Sequence, residues 1–123
     1  MNQNNISQKD LFYKSLCFRL KNSELAYKIY LRERTYATAH AILSINKEIL
    51  SFLLENIYYA NSLDKERLNH LFIHISGWIS DFELYVKQLL PVADSIFIFN
   101  RSQGLLSYPK EFIEELYVEW YSD

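Results

Sequence analysis

The sequence predicts an all-α fold, an antiparallel helical bundle of three long helices and a short C-terminal one, with a long ordered loop before the last helix. Three observations lead there. Neither glycine nor proline occurs between Met1 and Ser76, and these are the residues that usually end helices. Leu68, Ile75, Phe82 and Leu89 recur every seven residues, with Phe72, Ile79 and Val86 interleaved, which is the seam of a helix packed lengthwise. The whole chain of 123 residues is half hydrophobic yet holds two glycines and two prolines, too few turn formers for a β sandwich or barrel.

A chain of this length is read as one domain over 1–123, able to hold a core without disulfides or metal. Residues 1–6 are polar and read as a flexible tail. The first helix is placed at about 7–33, with Asn22-Ser23 able to kink it. Leu11, Phe18, Leu25 and Ile29 fall on one of its sides and Leu16, Leu20, Tyr27 and Leu31 on another. A break within Arg34–Thr38 leads to a second helix at about 36–60. Ile42, Leu43, Ile45, Ile49, Leu50, Phe52, Leu53, Leu54 and Ile57 cover over half its circumference, so it is expected to be the most buried helix. Asn46 and Asn56 lie within that face and need hydrogen-bond partners there.

Ser62 or Asp64 can cap a third helix, at about 64–90, which Pro91 ends. Pro109 suits the first position of a fourth helix at about 109–121. Phe112, Ile113, Leu116 and Trp120 share one face of this helix, and Glu111, Glu114, Glu115 and Glu119 make the rest acidic. Between the last two helices, 92–108 has no helical period and is long for a loop. Its Ile96-Phe97-Ile98-Phe99 run is apolar and β-prone, and has to be buried on its own bundle or on a partner.

Composition narrows the function classes. A net charge of −2 and a pI near 5.9 point to neither nucleic acid nor membrane. Cys17 is the only cysteine, which fits a reducing cytoplasm. Met1–Asn5 lacks the apolar core of a secretory leader, and no apolar run reaches the ~20 residues that span a bilayer. A cytoplasmic protein without a membrane segment is expected.

Candidate chemistry is sparse. His70, His74 and Asp81 share one helical stripe, with Arg67 at its top, and could in principle ligate zinc or iron. The stretch His70-Leu-Phe-Ile-His74 lacks the glutamate of a zinc protease, and Glu48 and Glu55 fall on the polar side of the second helix. No metal and no cofactor is expected. At one point the chain resembles the HEPN ribonucleases, small helical bundles in which an arginine and a histidine with four to six residues between them act on RNA. Arg34…His40 has five residues between and Arg67…His74 has six. The resemblance implies that histidine would move the 2′-hydroxyl proton while arginine holds phosphate. It is confined to this spacing, with Asn69 as one added polar residue, and the chain is not assigned to that family.

Surfaces carry more information. Lys14, Lys21 and Lys28, continued by Arg32, form a basic stripe expected to face the acidic fourth helix or solvent. Residues 1–34 hold seven Lys/Arg against three acids, a net +4. Opposite the seam of the third helix stand Ile73, Ser76, Gly77, Ser80 and Leu84, where small residues between aliphatics let another helix approach. Twenty aromatics, ten of them tyrosines, add contact area of the kind enriched at interfaces. The expectation is a non-enzymatic interaction module, an accessory or adaptor subunit binding a protein partner or a second copy. Its contact residues are read as Ile73, Ser76, Gly77, Ser80, Leu84, Ile96, Phe97 and Phe99. The alternatives are a HEPN-like ribonuclease or its antitoxin partner, and a small nucleic-acid-binding bundle using the basic stripe.

Overall fold

A computed structural model describes residues 7–99 and 108–121. The suggested tail at 1–6 and the part of the long loop at 100–107 lie outside them. Four helices form the architecture: α1 (Gln8–Glu33), α2 (Tyr36–Asn56), α3 (Lys65–Leu89) and α4 (Lys110–Trp120). α1 and α2 make an antiparallel pair, α3 lies against α2, and α4 lies against α1.

Each boundary has a local cause. Ser7 caps α1, its hydroxyl accepting from the Asp10 N–H at 3.0 Å. α1 runs unbroken through Asn22-Ser23. It ends at Arg34, whose φ of 55° turns the chain left-handed, and Thr35 opens α2 with a reciprocal capping box to Thr38. α2 tightens into a 3₁₀ turn at Ile57–Tyr59, and another at Ser62–Asp64 leads into α3. Neither Ser62 nor Asp64 caps α3 as expected, because no side chain serves that end. The Asp64 carboxylate is taken by the Tyr13 hydroxyl and by Arg67, 2.8 Å away. Pro109 sits at the cap of α4, one place before its first helical residue.

The core draws on all four helices. Phe12, Tyr13, Leu16, Cys17 and Leu20 enter from α1, Ile42, Ile49 and Leu53 from α2, Leu68, Leu71, Ile75 and Phe82 from α3, and Phe112, Ile113 and Leu116 from α4. The α3 seam is buried as the seven-residue repeat requires, except that Leu89 at its end is exposed. α2 is not more buried than α1. Leu54, assigned to its apolar face, is exposed, and α1 contributes as deeply to the core. Asn46 is buried and bonded to the Ser23 hydroxyl at 3.2 Å, and Asn56 donates to the Phe52 carbonyl at 3.0 Å.

After Leu90, also left-handed with φ 49°, the chain returns to the α1–α2 corner. The carbonyls of Ser95 and Ala93 accept from the Tyr36 and Ala37 N–H groups at 3.0 and 2.9 Å. This satisfies two donors that the start of α2 leaves open. The Phe97 N–H reaches the Arg34 carbonyl at 2.8 Å, and the Tyr30 hydroxyl donates to the Phe97 carbonyl at 2.7 Å. The Phe99 N–H in turn donates to the Tyr30 oxygen at 2.9 Å. The β-prone run thus makes one antiparallel bridge, Thr35 to Ile96, and no strand among the described residues.

Candidate interaction surface

The α1–α2 corner decides the fate of the apolar run. Phe97 is fully buried among Tyr36, Phe82, Tyr85 and Phe99, with ring centroids 5.3 to 6.4 Å away. Phe99 is half-buried against Trp78, Phe82 and Tyr85. Both were expected in a partner-binding surface, and Phe97 belongs to the core instead. The extended backbone explains the split, since alternate side chains point to opposite sides. Ile96 is 81% exposed and Ile98 remains exposed as well.

On α3, the expected contact row is open at its ends and partly covered near Gly77. Ile73, Ser80 and Leu84 are exposed, and Ser76 and Gly77 are half-buried. α2 lies along one side of this face, where Lys47 pairs with Glu83 at 2.8 Å. The aromatic contacts of Trp78 and Tyr85 to Phe99 lie on the other.

The larger apolar surface is on α1. Leu11, Phe18, Leu25 and Ile29 are 49, 60, 57 and 41% exposed. Their spacing of seven, seven and four places them in one line along the helix. That line is opposite the buried row of Tyr13, Leu16 and Leu20, a row that does not extend to Tyr27 and Leu31, which are exposed. Asn22, half-buried, sits in the line between Phe18 and Leu25. The sequence shows both apolar sides of α1. Missing from it is which side has a neighbour, and that is set by where α2 and α4 attach.

Charges flank the line unequally. On the α4 side, Lys21 lies 4.2 Å over the Tyr117 ring and 3.8 Å from Glu24. It therefore meets the aromatic edge of α4 rather than its glutamates. Lys14 and Lys28 are exposed and have no ion pair among the described residues, and Arg32 reaches Glu33 at 3.8 Å. On the α2 side, Arg19 lies 3.2 Å from Glu48 and 4.4 Å over the Phe52 ring. Its Nε is not directed at the carboxylate as a hydrogen bond, so contact with Glu48 is ionic.

The arginines and histidines singled out for chemistry each have structural neighbours. Arg34 lies 5.4 Å from the Tyr30 ring, while His40 rests edge-on against Tyr36 at 5.7 Å. Arg67 is held by Asp64 at 2.8 Å and Glu115 at 3.0 Å, and covers the Phe112 ring at 4.4 Å. With two carboxylates on it, its charge is already compensated. His74 packs against Tyr108, ring centroids 5.5 Å apart. A groove of about 410 Å³ between α3 and α4 is lined by Arg67, His70, Tyr108 and Glu115, among others. No three of the His, Cys, Asp and Glu side chains among the described residues are grouped to hold a metal ion, so His70, His74 and Asp81 share a stripe without converging on one point.

The buried titratable groups serve packing. Burial pushes the Cys17 thiol up to about 11, against the pull of Lys21, and its Sγ donates to the Leu116 carbonyl at 3.6 Å. Burial, reinforced by a carboxylate hydrogen bond, raises Tyr13 beside Asp64 and Tyr117 beside Glu24. All three stay protonated at neutral pH, so Cys17 is a core thiol and not a nucleophile. No helix is long and apolar enough to cross a membrane among the described residues. No protein-family model matches the chain, and no curated protein or solved structure matches it either.

Proposed function

We propose that the protein is a non-enzymatic interaction module, a small helical adaptor or accessory subunit that binds another protein surface through the outer face of α1. One observation carries the reading: four large apolar side chains stand in a single helical line on the side of α1 away from the core. A helix that faces water with one side is expected to carry charged and polar residues there. Large contiguous exposed apolar patches on single chains mark interaction sites. Arg67 has its charge compensated by Asp64 and Glu115, which leaves it poorly placed to hold phosphate and supports the same choice over a HEPN-like ribonuclease.

The test is native mass measurement on the chain isolated gently from its host. The mass is expected above the 14.7 kDa of one chain. A Leu25→Glu variant with unchanged circular dichroism is expected to return to the monomer mass. A bare monomer for the wild type contradicts the reading. Cleavage of single-stranded RNA that disappears in a folded His74→Ala variant replaces it with the ribonuclease alternative.

A further inference from the structure

We infer that α4 is a detachable strap, which unlatches from α1 and α3 as one unit and uncovers the groove beneath it while α1, α2 and α3 stay folded. The inference concerns the α4 side of α1 and stands independently of the outer face.

α4 is held differently from the other three helices. Its contacts to α1 fall on one stripe, Tyr13, Cys17, Lys21 and Glu24, spaced four, four and three residues apart. Trp120 stacks on the Tyr13 ring at 4.8 Å, and the Cys17 thiol donates to the Leu116 carbonyl. Lys21 lies over the Tyr117 and Tyr121 rings, and the Tyr117 hydroxyl donates to Glu24. Against α3, Arg67 pairs with Glu115 and covers Phe112, and Tyr108, just ahead of α4, packs edge-on against His74. Phe112, Ile113 and Leu116 are the buried apolar side chains of α4. Much of the remaining seam is polar and lies at the edge of the bundle, where the Arg67 and Glu115 side chains are 45 and 64% exposed. Water replaces such pairs at little cost when the helix leaves. A seam this polar is closer to the contact between mobile domains than to core packing.

α4 also has little helical stability of its own. It has 11 residues, fewer than the ~12–15 that a helix needs to persist in water. No side chain caps its first turn, and no basic residue stands in its last. Glu111 suits its end of the helix dipole, but Lys110 and Glu119 oppose theirs. Val118 is β-branched and 89% exposed, so it lowers helix propensity without adding to packing. Docking therefore supplies the order of α4, and leaving the groove means melting. Units held in this way open at a lower free energy than global unfolding.

The floor of the groove is braced without α4. The Tyr13 hydroxyl donates to Asp64 and accepts from the Asn61 N–H at 2.9 Å. Phe12 stacks on Phe52 between α1 and α2, and Tyr36 stacks on Phe82 between α2 and α3. Cys17 is fully buried and bonded to the α4 backbone. Burial is what pushes its thiol up. Release of α4 returns that thiol to water beside Lys21, so its reactivity reports the opening. It is the only cysteine of the chain, which makes the report unambiguous.

Alkylation of Cys17 by iodoacetamide in native buffer, read beside amide hydrogen exchange of the full chain, tests the inference. Wild type is expected to react through an opening that depends on urea much less steeply than global unfolding does. The α4 amides are expected to exchange through the same opening. Tyr117→Phe removes the Glu24 bond and is expected to speed alkylation about three- to tenfold. Ile42→Val lies on α2, which makes no hydrogen bond, ion pair or ring contact with α4 among the described residues. It is expected to lower the global urea midpoint and to leave the alkylation rate unchanged. The inference is overturned if Cys17 reacts only at the rate of global unfolding, or if Ile42→Val speeds alkylation as much as it destabilises the bundle. It is equally overturned if the α4 amides stay protected while Cys17 reacts, or if Cys17 does not react at all in the folded chain.

Discussion

The outer line of α1 and the Ile96–Phe99 run each bring four large apolar side chains to one place. They have met different fates. The run on the far side of α3 is fastened to the α1–α2 corner by backbone bonds to Arg34, Tyr36 and Tyr30, and its Phe97 is sealed inside an aromatic cluster. The α1 line has no such fastening. It lies opposite the core, and the helices that bury Tyr13, Leu16 and Leu20 on the other side of α1 leave it open. The lesson is that apolar content does not itself fix burial. A segment goes inside when its backbone polar groups find partners there as well. α1 satisfies its own backbone by being a helix, so its outer side chains are free to face either water or another chain.

This contrast can be broken or sharpened by substitution. The largest effect is expected at Phe97. Phe97→Ala removes a fully buried ring from the meeting point of α1, α2 and α3, and should cost about 3–5 kcal/mol in urea unfolding. A cost below about 1 kcal/mol contradicts the assignment of Phe97 to the core. A smaller effect is expected at Tyr30, which donates to the Phe97 carbonyl and accepts from the Phe99 N–H. Tyr30→Phe keeps the ring and removes both bonds, for about 1–3 kcal/mol. Amide hydrogen exchange should show the loss concentrated at Phe97 and Phe99. Uniform loss across the bundle would mean that Tyr30 supports the whole core and not this one fastening.

Much of the fold could be read from the sequence, because its signals are local. The absence of glycine and proline up to Ser76 and the seven-residue seam of α3 each act within one helix, whereas the break within Arg34–Thr38 was placed without its cap, Thr35. The candidate surface was only half readable. Leu11, Phe18, Leu25 and Ile29 are in plain view as a line, but α1 has a second apolar side. Periodicity ranks neither above the other when both are apolar. The side chosen for the core depends on Tyr13 reaching Asp64 and on Cys17 meeting the Leu116 carbonyl, 51 and 99 residues apart in sequence. The Asp64 cap went astray for the same reason, as a distant tyrosine and Arg67 hold the carboxylate. Phe97 was misplaced because its burial depends on Arg34 taking a left-handed turn that offers a carbonyl to its N–H.

The central claim is that one side of α1 is core and the other is an interface. Its most direct test is the dependence of the urea midpoint on protein concentration, for wild type and Phe18→Glu side by side. Association that favours the folded state raises the midpoint with concentration. With a second copy on the outer face, the wild-type midpoint rises and the Phe18→Glu midpoint stays constant; with a different partner neither moves, and in both cases the two variants are nearly equally stable at low concentration, where an outer residue costs little. The claim is contradicted if Phe18→Glu is several kcal/mol less stable than wild type even at high dilution, which would make Phe18 part of the core.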